Sequence, residues 1–267
     1  RVVIGMKDPN PEVAGKGIKL LKKAGVHLTV GTRENIAQEL NKGFVTRMLT
    51  GLPFVRLKLA ATVDGRTAAP DGISQWITSP DARQDVHHWR AASSAVVTGM
   101  GTIVSDNPRL NARVNADVIQ PLRVILDGNG RLNSDAALFA VEGPILIVTS
   151  LRSDHQNYTF DDRTEIMHLP DKDGRIDLKS LLLELGKRGC NDVLIEAGAA
   201  LAGDFATSDL VDEYLLYVAP DILGNKSRGM FILPGLAKLT DRISLEIVDT
   251  ERLGRDLRIR LRPKDKS

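Results

Sequence analysis

The sequence predicts an α/β protein with a mixed, mainly parallel sheet flanked by helices, and three observations carry that prediction. Short apolar runs bounded by turn residues recur at AVVTG (95–99), RVILD (123–127), PILIVT (144–149) and DVLIE (192–196), as in strands buried on both faces. Helical segments lie between or after these runs, among them the leucine-rich Leu178–Arg188 and a second helix over Leu201–Leu210. After Asp212 the pattern changes to alternation in Glu213–Pro220, Ser244–Thr250 and Asp256–Leu261, which puts an antiparallel edge on the sheet.

Residues 1 to 50 read as strand, helix, strand, helix. RVVIG is the first strand, and Asp8-Pro9-Asn10-Pro11 is a turn dense in chain breakers. Val13, Gly17, Ile18 and Leu21 give a helical stripe that stops at Ala24-Gly25, with Lys16, Lys19, Lys22 and Lys23 on the solvated side. Val26–Val30 is a short strand, and Thr32 caps a helix with Ile36, Leu40 and Phe44 or Val45 on one side. Thr50-Gly51-Leu52-Pro53 ends the pattern, so the domains are expected at 1–50 and 51–267. An apolar strand that starts at Arg1 with no partner before it reads as the tail of a larger domain.

Pro53–Ser79 organises the rest. Val55, Leu57, Leu59 and Ala61 alternate with Arg56, Lys58, Ala60 and Thr62 at the strand period, so Lys58 and Ala60 look out from the other face. Asp64-Gly65 and Asp71-Gly72 are turn signals within a small, polar, mobile loop that carries Trp76. Ser79-Pro80 then begins a helix, with Ser as N-cap and Pro in the first position. A strand end, a loop with an aromatic residue and a helix start within two dozen residues build a binding site better than a core.

Composition narrows the function classes. With 36 basic and 34 acidic residues among 267, the net charge of +2 gives no global field for nucleic acid or a membrane surface. One cysteine, Cys190, excludes an internal disulfide framework and falls far short of a structural zinc set. No apolar run has the length of a membrane span, and the cytoplasm is the expected compartment. His27, His87, His88, His155 and His168 show no metal-ligand spacing and read as solvated or hydrogen-bonded; no G-x-S-x-G elbow supports a serine hydrolase.

Two glycine motifs follow strands. Thr98-Gly99-Met100-Gly101-Thr102-Ile103-Val104 is a weak dinucleotide fingerprint, since Val104 stands where a third small residue belongs; a tight turn into a helix is the simpler reading. Glu196-Ala197-Gly198-Ala199-Ala200-Leu201-Ala202-Gly203-Asp204 has P-loop glycine spacing but lacks the Lys-Ser/Thr that holds phosphate and magnesium. Small residues at a helix start serve either a pyrophosphate or close packing, and Glu196 at the strand end favours a ligand crevice. On the helix from Pro80, Ala82, Val86 and Trp89 form the apolar stripe, flanked by Arg83 and Arg90. Arg90, nearer the stripe, is placed to fork an anionic ligand, whereas Arg83 reads as a surface salt-bridging residue. Ser105–Arg113 adds an acid, Arg109 and Arg113 on a polar loop.

Together these residues closely resemble the bifunctional deaminase/reductase family of riboflavin biosynthesis. The matching motifs are DPNPEVAGKGI (8–18), LNKGF (40–44), LKLAATVDGRTA (57–68), SQWITSP (74–80), DNPRLNAR (106–113), IEAGAALAGDF (195–205) and APDILG (219–224). They span nearly the whole chain in the family's order. The resemblance implies a reductase domain with a fold like dihydrofolate reductase, preceded by a remnant of a cytidine-deaminase-like domain. It implies NADPH-dependent reduction of 5-amino-6-(5-phosphoribosylamino)uracil to the ribitylamino compound, so a phosphorylated ribosylaminopyrimidine is the expected partner. Ala60, Trp76, Thr102, Asp106, Gly128 and the turn Gly198, Ala199, Ala200, Leu201, Ala202, Gly203, Asp204 would line NADPH. Ser74, Arg90, Leu110, Arg113 and Glu196 would contact the substrate, and Lys58 and Glu196 are the candidate catalytic pair, with Lys58 donating a proton as the ribose opens. A homodimer is expected.

Departures from the family pattern also inform. Zinc deaminases need H-x-E and P-C-x-x-C segments, and this sequence has neither, so zinc is expected only in the deaminase part that is absent here. Gly128 stands where the family often has Ser, removing a hydroxyl contact to the cofactor. Two other readings stay open: another NADPH reductase of the same fold, and a non-catalytic ligand-binding remnant.

Overall fold

In the computed structural model, which describes residues 1–150 and 160–264, the chain divides into two units. One comprises residues 1–54 and 182–192, the other residues 55–181 and 193–267. His155 lies outside the described residues.

In the first unit, β1 (Val2–Ile4) pairs in parallel with β2 (Leu28–Val30), with Val2 opposite Leu28, and α1 (Lys16–Lys23) lies between them in sequence. The single helix expected after Thr32 is two, α2 (Glu34–Leu40) and α3 (Lys42–Thr50). Asn41 separates them at φ −118° and ψ 25°, its side-chain amide donating to the Ala37 carbonyl at 2.9 Å. This is the local competition with helix bonds that makes Asn a poor interior residue. Residues 182–192 join this unit for reasons no local pattern reveals. Gly186 packs directly on the Gly51 carbonyl, Arg47 Nε donates to Asn191 Oδ1 at 2.6 Å, and the Phe54 amide donates to the Asn191 carbonyl at 2.8 Å.

The second unit follows in chain order as β3 (Phe54–Thr62), β4 (Arg66–Ala68), α4 (Pro80–Ala91), β5 (Ala95–Gly99), α5 (Met100–Asp106), β6 (Leu122–Leu126), β7 (Ile145–Thr149) and β8 (Thr164–His168). After α6 (Leu178–Lys187), which the unit division cuts, come β9 (Asp192–Glu196), α7 (Ala199–Thr207), β10 (Glu213–Ala219), β11 (Arg228–Gly229), β12 (Leu245–Leu253) and β13 (Asp256–Pro263). The sheet runs β12-β13-β10-β3-β9-β5-β6-β7-β8. The pairs β10–β3, β9–β5, β5–β6, β6–β7 and β7–β8 are parallel, and β13 is antiparallel to both its neighbours. The expected fold class is therefore observed, with the antiparallel edge confined to the β12–β13 hairpin.

Inside this sheet β3 is buried on both faces, Arg56 and Thr62 included, and only Lys58 and Ala60 are half-exposed. Arg56 is tolerated there because its Nε donates to the fully buried Glu213 at 3.0 Å. The core beneath the site joins Val96, Ile125, Leu194, Leu215 and Tyr217 of the strands to Ala82 and Val86 of α4, with Trp89 packed at its margin. That is the apolar stripe expected of α4, and Ser79 caps the helix by accepting from the Ala82 amide at 3.4 Å. The loop expected after Asp64-Gly65 contains one ordered piece, β4, paired antiparallel with β11 some 160 residues away in sequence.

Candidate active site

At the ends of β3, β5, β6 and β9 the second unit opens into a cavity of about 1350 Å³, the crevice position of parallel α/β sheets. Lys58, Ala60, Ser74, Trp76, Arg90, Thr102, Asp106, Leu110, Arg113, Gly128, Glu196, Gly198, Ala199, Ala200, Leu201 and Asp204 all border it. Ala202 and Gly203, expected on the cofactor side, do not. Ala202 is fully buried, and Gly203 is buried against the Ile232 carbonyl with no room for a Cβ. These two small residues serve packing, and only the exposed turn of α7 serves the cavity. Leu110 borders the cavity but is 1 % exposed, its side chain in the core and its backbone at φ 57°.

Arg90 and Glu196, both expected to contact the substrate, grip each other. Nε donates to Oε1 at 2.5 Å and Nη2 to Oε2 at 2.8 Å, a two-point fork. Burial pushes the Glu196 carboxyl up, but the charge and hydrogen bonds of Arg90, with Lys58 and His87, outweigh it and hold the group at about 2. Burial lowers the Lys58 ammonium pKa, opposed by Glu196 and Asp106 and reinforced by Arg90. A lysine destabilised as a cation is a readier proton donor than a free one. Ser74 and Asp106 are likewise joined, Oγ donating to Oδ1 at 3.0 Å.

The start of α7 supplies a different surface. Gly198 is its N-cap with extended backbone, and a Cβ there would meet only Thr102 Oγ1, at 4.0 Å. At Gly101, in the first turn of α5, a Cβ would meet nothing within 4 Å. Two glycine-led helix starts thus present bare backbone to open space, the cradle a dinucleotide's phosphates need. Gly128 also borders the cavity, its carbonyl accepting from Ser150 Oγ at 3.1 Å.

Several cavity residues escaped the sequence reading. Arg83 is no salt-bridging surface residue: it donates to the Thr78 carbonyl at 2.6 Å and lies over the Trp76 ring at 4.4 Å. His87 is buried at the cavity wall, and Arg228 crosses Gly72, whose φ of 91° leaves the position to glycine. The signal for the first two was present, because Arg83, His87 and Arg90 fall at i, i+4 and i+7 on one face of α4.

The RibD C-terminal domain family matches residues 53–259, which include the whole cavity. The chain belongs to the RibD family. It is 41 % identical to the riboflavin biosynthesis protein RibD of Haemophilus influenzae over 99 % of this chain and 73 % of that protein. The solved structure of Acinetobacter baumannii RibD, form 1, superposes with a TM-score of 0.88 at 41 % identity, over 99 % of this chain and 73 % of that one. A Thermotoga maritima protein described as a diaminohydroxyphosphoribosylaminopyrimidine deaminase/5-amino-6-(5-phosphoribosylamino)uracil reductase superposes at 0.85 with 30 % identity, over 98 % and 71 %. This RibD-family chain is therefore a riboflavin-biosynthesis reductase with the mixed, mainly parallel α/β sheet expected for it. Among the described residues no group of three or more His, Cys, Asp or Glu could hold a metal ion, and no helix is long and apolar enough to cross a membrane.

Proposed function

We propose that the cavity binds NADPH and 5-amino-6-(5-phosphoribosylamino)uracil together and reduces the ribosyl group to ribityl. The observation that supports this most is a single cavity with one wall of arginines, Arg90 and Arg113, and another of bare helix starts, Gly101–Thr102 and Gly198–Leu201. The arginines suit the 5-phosphate of the substrate and the helix starts suit the pyrophosphate of the cofactor. The nicotinamide, when bound, supplies hydride for the ribosyl C1. Lys58 Nζ gives the ring oxygen its proton as the C1–O bond opens, and Glu196 keeps Arg90 oriented and accepts from a ribose hydroxyl or amine. Ser74 and Asp106 exchange their mutual bond for ligand contacts. NADPH is preferred over NADH, and equal kcat/KM for the two removes that preference.

Residues 1–50 are the tail of a deaminase domain, a reading supported by the two activities in the Thermotoga protein's description and the match over 98 % of this chain. We further infer a cytoplasmic homodimer, the dimer being supported by the edge strand β12, which carries Ile247 and Val248 at 66 % and 40 % exposure. The deciding experiment incubates the chain with NADPH and the deaminated phosphoribosylaminouracil and follows loss of nicotinamide absorbance. Turnover with product of the ribitylamino mass is expected. Binding of both ligands without turnover would leave a non-catalytic domain.

A further inference from the structure

Arg113 is held by α4 through its main chain, a feature the proposed reaction does not use. Its amide donates to His87 Nδ1 at 3.3 Å, and its carbonyl accepts from Gln84 Nε2 at 3.3 Å. Arg90, further along the helix, donates from Nη1 to the Asn111 carbonyl at 3.2 Å. Asn111 Oδ1 in turn accepts from Arg113 Nη1 at 2.9 Å. On the other side Gln120 bonds both main-chain groups of Ala112, at 2.9 and 3.0 Å. Leu110 is anchored in the core, so the backbone leading to Arg113 is fixed at successive residues while its side chain stays exposed at the cavity.

We propose that His87, assisted by Gln84, is a positioning residue that sets Arg113 against the anionic end of the substrate. The inference rests on the proposed reading in which Arg113 and Arg90 receive the substrate phosphate. The bond requires an accepting Nδ1, which places the ring proton on Nε2 and makes the imidazole neutral. Neutrality also fits the surroundings: Arg90 on α4 and Arg113 on the loop face the ring, and Glu196 of β9 is the acid opposite. Burial, then the two arginines, hold His87 down at about 4, while Glu196 and the Asn111 carbonyl oppose the shift. A lysine or arginine at this position would crowd a third cation against two. A leucine would leave the Arg113 amide without its acceptor. A buried histidine meets both demands.

The test compares the phosphorylated substrate with its dephosphorylated ribosylaminouracil counterpart in wild type, His87→Phe, His87→Asn and Gln84→Ala, with NADPH saturating. His87→Phe removes the acceptor, and KM for the phosphorylated substrate should rise about tenfold while kcat and the KM for NADPH move less than about threefold. The ratio of kcat/KM between the two substrates should shrink accordingly. His87→Asn, whose Oδ1 can stand near Nδ1, should restore most of the discrimination. Gln84→Ala, at an exposed position, should lower it about two- to threefold. Equal losses on both substrates, or full discrimination in His87→Phe, overturn the inference. A wild type that itself ignores the phosphate overturns the substrate reading and this inference with it. Should His87→Phe not fold, imidazole nitrogen spectra of the wild type decide: a charged ring at pH 7, or a proton on Nδ1, overturns the proposal.

Discussion

The cavity has two walls built on opposite principles. One is α4 with the loop 107–113: the Arg90 side chain grips Glu196, and Arg113 is pinned at its main chain by His87 and Gln84 and at its guanidinium by Asn111. The other is the paired starts of α5 and α7, where Gly101, Gly198, Ala199 and Ala200 leave backbone amides as the recognising groups beside Thr102 and Leu201. A charged wall must be held in place, because a loose arginine loses rotamer entropy on binding and a buried unpaired one is costly. A backbone wall is held by its helix already and needs only vacancy in front of it. Substitutions should therefore act through lost partners on the first wall and through added bulk on the second.

The largest effect is expected between the walls, at Lys58 on the sheet floor. Lys58→Met should lower kcat by about 10²- to 10⁴-fold, the usual worth of a positioned proton donor, with both ligands binding within a few-fold of wild type. Single-turnover kinetics measure this directly. An unchanged kcat would move the proton to another donor and leave Lys58 as a charge beside Glu196.

On the charged wall, Arg90→Ala strands the 9 %-exposed Glu196 and should cost about 3–5 kcal/mol of stability, read as a lower Tm. Arg90→Ala with Glu196→Gln should cost clearly less than the sum of the two single changes. The pH dependence has a defined direction. Glu196 is depressed from 4.5 to about 2, so the folded state binds fewer protons than the unfolded state between those values. Its contribution is complete above about pH 4.5 and is lost as the pH falls toward 2. A wild-type acid transition identical to that of Glu196→Gln would remove the pair from the stability of the fold.

How much of this was legible in the sequence follows the same division. The strands β5, β6, β7 and β9 and the helix α4 were readable because burial on both faces and a capped amphipathic stripe leave local marks. The cavity's membership came chiefly from the motif resemblance. Ala202 and Gly203 were misplaced because a run of small residues looks the same whether it faces a phosphate or the Ile232 carbonyl, and only a contact across the fold separates the two. The Arg90–Glu196 fork was missed as a pair because its partners stand 106 positions apart. Arg83 and His87 were readable from spacing alone, yet their partners, Trp76 and the Arg113 amide, are set by loops that no period describes.

On the backbone wall, Gly198→Val places a branched side chain in open space and should fold normally. NADPH affinity should fall about tenfold, or about 1.4 kcal/mol, with phosphate discrimination unchanged. Gly203→Ala is the contrast, since its methyl meets a main-chain carbonyl and the loss should appear in Tm. Fluorescence titration of NADPH against each variant separates the two, and an unaltered affinity in Gly198→Val would mean that the α7 start is not the cofactor's wall.

The smallest effect is expected where the walls meet. Trp76 is 69 % exposed, and the Arg83 guanidinium over its ring is the contact that ties it to α4. A cation over an exposed indole is worth about 0.5–1 kcal/mol, so Arg83→Ala should weaken whichever ligand Trp76 receives by about two- to fivefold. If Trp76 belongs to the backbone wall, as its cofactor assignment requires, the KM for NADPH rises and the KM for the phosphorylated substrate does not. A rise in the substrate KM alone would assign Trp76 to the charged wall, with Arg83 acting as one more arginine beside the phosphate. Arg83→Lys keeps the charge but not the planar stack. It should match Arg83→Ala if stacking on Trp76 matters, and match wild type if only charge does.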